Sequence, residues 1–256
     1  METAKKHFFS DMSVMLGRSM RHIFRSMDTI LTVCITPVAM MLLFVYVFGG
    51  AIDTGTDNYV NYLLPGILLM AIASGVAYVA YRLFMDKQRG ILERFHSMPI
   101  ARSTVLWGHV LTSVVSNFIS IAVIILTALI MGFRSPAGIL SWLAVAGILL
   151  LFTLALTWVA AIAGLSAATM EGASAFSYPL IFLPFISSAF VPTESMPAVV
   201  RVFAENQPVT PIVEAIRALL SEQPAGNDIW AALAWCTGIL FIAYIFAVRA
   251  YKRNAG

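Results

Sequence analysis

Charge is what this sequence has least of. Only 11% of its 256 residues are Asp, Glu, Lys or Arg, while 60% are hydrophobic and the mean hydropathy is +0.86. A soluble domain carries roughly 25% charged residues, so that class is excluded. Cysteine is almost absent. Cys34 and Cys236 both lie in apolar runs, where they read as small packing residues and supply neither a disulfide framework nor a metal motif. The four histidines, at 7, 22, 96 and 109, include no H-E-x-x-H pair, so the sequence carries no zinc-hydrolase signature. No Gly-Lys pair exists either, since the four lysines follow Ala4, Lys5, Asp86 and Tyr251. The phosphate loop G-x-x-x-x-G-K-[ST] is therefore missing, and any nucleotide hydrolysis must sit on a separate chain.

What is present is long uncharged sequence. Six runs, at 29–52, 58–81, 103–133, 135–170, 172–193 and 229–248, are free of Asp, Glu, Lys and Arg. Each has the ~20 residues a helix needs to cross the hydrocarbon core of a bilayer. The expected fold class is an all-α membrane protein with six transmembrane helices in one domain, 1–256. With six spans both termini share a side. That side holds 13 basic residues, from Lys5, Lys6, Arg18, Arg21 and Arg25 through the 82–104 loop to Arg249, Lys252 and Arg253. The other holds Arg134, Arg201 and Arg217. The positive-inside bias assigns both termini and the loop to the cytoplasm of a multi-pass protein. The net charge of +3 thus reads as topology, with some attraction to anionic headgroups, and not as nucleic-acid binding. The first run is too long for a signal h-region and reads as a retained span.

Before it, Phe8, Met12, Leu16, Met20, Ile23 and Met27 recur every three or four residues, with Arg18, Arg21, Arg25 and His22 largely opposite. This predicts an amphipathic interfacial helix within 1–28; a loosely ordered basic tail is the alternative. Pro37 and Pro65 fall inside spans one and two, where membrane helices tolerate them. Ala71, Gly75, Ala73 and Ala77 allow close helix approach in span two, a weak signal. Small residues from Gly164 to Ser174 predict the turn between spans four and five, and Pro179 and Pro184 predict that span five is bent or broken. In the external segment 192–228, Thr210-Pro211 predicts a helix start. Ile212, Val213, Ile216, Leu219 and Leu220 share one face with Glu214 and Arg217 opposite, as in a short helix on or dipping into the outer leaflet.

Catalysis within the membrane finds little support. Gly172-Ala173-Ser174-Ala175 superficially resembles the Gly-x-Ser motif of rhomboid proteases, but no histidine base follows Ser174, and nucleophilic catalysis needs one. No catalytic residue is expected in this chain, and no metal. His109 reads as a hydrogen-bonding group between helices. An ion-coupled carrier is a better competitor, yet such carriers hold a charged residue deep in a span. Here Asp28, Arg82 and Glu171 sit only at span edges.

The stretch Asp86-Lys87-Gln88-Arg89-Gly90-Ile91-Leu92-Glu93-Arg94-Phe95-His96-Ser97-Met98-Pro99-Ile100-Ala101-Arg102 mixes charge with an apolar patch; on residue types alone a solvated loop is the simpler reading. It resembles, however, the loop between spans two and three of ABC type-2 exporter permeases, above all the daunorubicin-resistance, drug-efflux type. Phe44-Val45-Tyr46-Val47-Phe48-Gly49-Gly50-Ala51, Tyr62-Leu63-Leu64-Pro65-Gly66-Ile67 and Phe190-Val191-Pro192-Thr193-Glu194-Ser195-Met196-Pro197 match that type in order. Gln207-Pro208-Val209-Thr210 and Glu214-Ala215-Ile216-Arg217 continue the match. Asn206-Gln207-Pro208 stands where many members read Asn-Pro.

The resemblance implies a permease dimer bound to two copies of a separate ABC ATPase, which carries ATP and Mg, in a bacterial cytoplasmic (inner) membrane. It implies that the loop at 83–104 forms a coupling helix in the ATPase groove, with Asp86, Gly90, Glu93, Arg94 and Pro99 in that contact and the helix at about 7–26 beside it. It further implies export of amphipathic drugs, antibiotics or lipid-like molecules, polysaccharide being the cargo of other relatives. Phe44, Phe48, Tyr78, Phe182 and Phe185, with Met40 and Met41, are candidates for the substrate path. The same residues also suit lipid contact or helix packing.

Overall fold

The computed structural model describes residues 27–49, 58–91 and 102–253; the interfacial helix expected at about 7–26 lies outside them. Every regular element among the described residues is helical. The order is α1 (Met27–Leu43), which continues as a π-helical turn Phe44–Phe48, then α2 (Tyr59–Gln88), α3 (Arg102–Ile130) and α4 (Ile139–Ser166). Two six-residue helices follow, α5 (Met170–Ala175) and α6 (Ser177–Phe182), with a 3₁₀ turn Leu183–Ile186. Then come α7 (Ala198–Asn206), α8 (Val209–Leu220) and α9 (Asp228–Arg253).

Four of these helices carry apolar stretches of 24 to 30 residues, about 36–45 Å at 1.5 Å per residue, which exceeds the ~30 Å hydrocarbon core. The chain is an integral membrane protein. The fifth uncharged run is broken, as its prolines predict. Pro179 sits inside α6 and Pro184 opens the 3₁₀ turn, and a residue without an N–H cannot extend the helical ladder. The preceding turn falls at Ala167–Thr169, where Thr169 accepts a bond from the Gly172 N–H and caps α5.

Helix α2 is the axis of the bundle. Of its most apolar window 78% is buried, against 39% for α4, 33% for α3 and 22% for α9. Helix α2 is enclosed by α1, α3, α4 and α8, whereas α3, α4 and α9 keep exposed apolar residues such as Ile130, Leu140 and Phe241. Asn58 starts α2 by accepting from the Val60 N–H. Glycines bring its neighbours close. A β-carbon on Gly75 would lie 2.3 Å from Asn117 Oδ1 of α3, and one on Gly164 of α4 would lie 2.6 Å from the Ala80 carbonyl oxygen. Of the small residues read from span two, Ala71 and Ala73 are buried and Gly75 and Ala77 partly so.

Several polar groups of α3 and α4 find partners within the bundle, although the buried Asn117 Oδ1 accepts no hydrogen bond. Ser113 Oγ lies 3.0 Å from Thr157 Oγ1, and Asn117 Nδ2 donates to the carbonyl and hydroxyl oxygens of Ser113. Thr112, Thr153 and Thr157 each donate to the carbonyl four residues earlier, the usual way a hydroxyl is satisfied in a helix surrounded by lipid.

The helix predicted to start at Thr210-Pro211 begins instead at Val209. The Thr210 hydroxyl does not cap it; it donates to the Ala204 carbonyl at 2.5 Å and ties α8 to α7. The apolar face of α8 turns into the bundle. Ile212, Val213, Ala215 and Ile216 are fully buried, and α8 packs against α2, α4 and α9. Ser135 Oγ and the Gly138 N–H hold the α3–α4 turn to the Leu220 carbonyl and to Glu222 Oε1.

Candidate functional site

Two places concentrate the residues singled out by the sequence, one at each end of α2. At its C-terminal end, Asp86 Oδ2 meets His109 Nε2 of α3 at 3.1 Å, the interhelical bond expected of His109. Lys87 Nζ donates to the Leu165 carbonyl at 2.7 Å, a cation on the exposed carbonyls of the last turn of α4. Arg89 ends α2 and Gly90 follows with φ +64°, the left-handed position that glycine occupies without steric cost. Beneath these contacts a separate apolar cluster of Leu83, Leu106, Trp158, Leu165, Ala247 and Tyr251 joins α2, α3, α4 and α9. Trp158 stands at its centre, edge-on to Trp107 and Tyr244. Both flanks of the loop at 89–101 are thus anchored to one block. Of the five predicted coupling residues the structure positions Asp86 and Gly90; Glu93, Arg94 and Pro99 lie outside the described residues.

Toward the other end the structure gathers four of the five predicted path residues. Phe44 lies 5.5 Å from Phe48 and 6.2 Å from Phe185 between ring centres, and Phe182 is 6.1 Å from Phe185. Phe190, which the residue pattern had not singled out for this role, completes the group by stacking on Phe44 at 4.7 Å and on Phe185 at 4.8 Å. The cluster runs from exposed rings at Phe182 and Phe48 to Phe190, which is buried. It joins the π-helical turn to the broken segment, and π-turns recur at functional sites. Such a surface has large apolar faces and favours offset stacking with flat rings. Tyr78 does not belong to it. That residue packs against Tyr81 beneath the Arg82 guanidinium, toward the C-terminal end of α2.

The group most distant from the sequence reading is Arg217. Read as the polar face of α8, its side chain is only 14% exposed. It pairs with Glu214 at 2.6 Å, donates to the Ser188 carbonyl at 2.8 Å and the Tyr62 carbonyl at 3.2 Å, and lies over the Tyr62 ring at 3.7 Å. Its acceptors are backbone oxygens, which leave no trace in residue types. A cleft of about 410 Å³ between α4, α8 and α9, lined by Ala144, Gly147, Leu151, Leu219 and Leu233, is wholly apolar and offers no group for recognition. Among the described residues no cluster of His, Cys, Asp or Glu is suited to a metal.

The sequence pattern of the ABC-2 type transporter family matches residues 10–220, which include both ends just described. The chain belongs to the ABC-2 type transporter family. It is similar to the daunorubicin resistance ABC transporter permease protein of Streptomyces coeruleorubidus, 26% identical over an alignment of 250 positions that covers 93% of this chain and 87% of that protein. A protein named probable doxorubicin resistance ABC transporter permease protein, from Mycobacterium tuberculosis, is 24% identical over an alignment of 256 positions that covers 98% of this chain and 92% of that protein. As an ABC-2 permease the chain is a transport component and not a catalyst, and the family implies an ABC ATPase as its partner.

Proposed function

We propose that this permease moves amphipathic molecules with flat apolar rings out of the cell, as one half of a dimer driven by two copies of a separate ABC ATPase. The observation that carries the reading is the end-to-end likeness to permeases named for daunorubicin and doxorubicin resistance. The aromatic cluster of Phe44, Phe48, Phe182, Phe185 and Phe190 supports it as a surface for such cargo. In this reading the protein sits in a bacterial inner membrane with residues 82–104 facing the cytoplasm, in keeping with the charge bias, and α8 with the α3–α4 turn lies at the outer end. In this reading α1 with its π-turn and the segment α5–α6 complete six crossings. ATP and Mg bind on the ATPase. The loop after α2 takes up its movement, with Asp86, Gly90, Glu93, Arg94 and Pro99 at the contact. Because Asp86 is bonded to His109 and Lys87 to the end of α4, a push on the loop reaches α2, α3 and α4 together.

Combining Glu93→Ala with Arg94→Ala tests the reading. Export of an anthracycline from cells should fall about tenfold, the effect of losing one or two contacts to charged groups, while the amount of permease in the membrane is unchanged. Full export by this variant contradicts the coupling assignment. Export that follows the ion gradient and ignores ATP depletion points to a carrier acting alone.

A further inference from the structure

From Leu183 to Phe190 the chain forms a 3₁₀ turn followed by tight turns; the Ser187 hydroxyl takes the Pro184 carbonyl, and side chains from elsewhere take up other carbonyls of this strap. Gln207 Nε2 donates to the Leu183 and Ile186 oxygens at 3.4 and 3.0 Å. The Ser188 oxygen accepts from both Tyr62 Oη at 2.9 Å and the Arg217 guanidinium at 2.8 Å, and the Phe190 oxygen from Tyr59 Oη at 3.1 Å. Irregular backbone at this depth persists only where protein satisfies it. The strap also presses on α2 directly, since a β-carbon on Gly66 would lie 2.6 Å from that of Ala189.

We infer that Arg217 is a positioning residue for transport, a latch whose guanidinium holds α8, the strap 183–190 and α2 together and so keeps the outer end of the permease closed. The inference rests on the exporter reading for its meaning. The Arg217 guanidinium bonds to all three elements, through Glu214 on α8, Ser188 on the strap and Tyr62 on α2. Parting α2 from α8 must break its bonds to the Tyr62 or Ser188 carbonyl. Glu214, on the same helix three residues away, travels with it, so the charge stays paired when the latch opens; an Arg without such a companion would be left uncompensated in a poorly solvated place. Phe185 and Phe190 sit on the strap itself, so its release also rearranges the aromatic cluster.

Thiol labelling in intact cells tests this. Ser188→Cys, in a background carrying Cys34→Ala and Cys236→Ala, places a reporter where the native hydroxyl is 3% exposed. Its reaction with a membrane-impermeant maleimide added outside should be slow. With Arg217→Gln added it should accelerate about tenfold, the effect of losing hydrogen bonds from a charged donor. Arg217→Lys should accelerate it too, because an ammonium does not reproduce the two-carbonyl fork. Cys236, buried within the bundle, is the control in a variant that keeps Ser188. Unchanged labelling of Ser188→Cys with Arg217→Lys, equal acceleration at Cys236, or labelling from the cytoplasmic side alone would each overturn the latch. Labelling needs no transport. Acceleration confined to Ser188→Cys in a chain that shows no ATP-driven export would sink the exporter reading and leave the closure standing.

Discussion

A β-carbon on Gly75 would lie 2.3 Å from Oδ1 of Asn117, and the amide of Asn117 is held in place by two bonds to Ser113. Gly75→Ala must displace that amide, at a cost of ~1–3 kcal/mol from overpacking and lost hydrogen bonding. The expected outcome is a lower unfolding temperature in detergent. Asn117→Ala added to Gly75→Ala should recover part of the loss, and a double-mutant cycle reads the coupling; strictly additive effects would contradict the contact. The bond between His109 and Asp86 predicts another outcome at this scale. His109→Ala should leave the ATPase activity of the complex intact while export falls about tenfold, the weight of one charge-assisted hydrogen bond. His109→Gln, which can still donate, should restore much of it. That His109 bonds between helices was legible from a histidine in an apolar run, but its partner was not. Helical periodicity places Arg217 with Glu214 on the polar side of α8 and shows no more than that. That this side meets the carbonyls of Tyr62 and Ser188 is decided by the strap, which has no sequence signature of its own.

Among the helices, the glycines sort into two kinds. Gly66 and Gly164 face backbone or β-carbon atoms at 2.6 Å, whereas β-carbons on Gly147 and Gly238 would meet nothing within 4 Å. Gly66→Ala should loosen the strap on α2, and Gly164→Ala should part α4 from α2. Both should lower thermal stability. Gly147→Ala and Gly238→Ala should be neutral or stabilising by up to ~1 kcal/mol, because alanine favours the helix. A series of melting temperatures checks the pattern, and equal losses at all four would refute it. The long helices were readable because the length of an uncharged run is itself the physical requirement for crossing a bilayer. The turn after α4 is readable from the small residues at 164–174, and the break in the fifth run from Pro179 and Pro184, which remove ladder donors. The start of α8 was misplaced because a hydroxyl before proline looks like a cap, and here the Thr210 hydroxyl finds Ala204 instead. Tyr78 was grouped with the phenylalanines by residue type alone, while its neighbours Tyr81 and Arg82 place it at the other end of α2.

Across the whole molecule, α2 connects its C-terminal end, where Asp86 and Lys87 bind α3 and α4, to an aromatic and strap-bound end, where Tyr59 and Tyr62 bind residues 188–190. If the aromatic cluster receives cargo, Phe44→Ala and Phe185→Ala should change the ranking of exported compounds while basal ATP hydrolysis holds, read by efflux of a panel of planar and non-planar drugs. Equal loss for every compound would assign the cluster to packing. The central claim is that the chain works with a separate ATPase. Purification of the full-length permease from its native host in mild detergent, with mass spectrometry of its companions, tests that most directly. An ABC ATPase in near-equal amount with vanadate-sensitive ATP hydrolysis is the predicted result; a permease that comes out alone and still moves substrate in vesicles without ATP would contradict it.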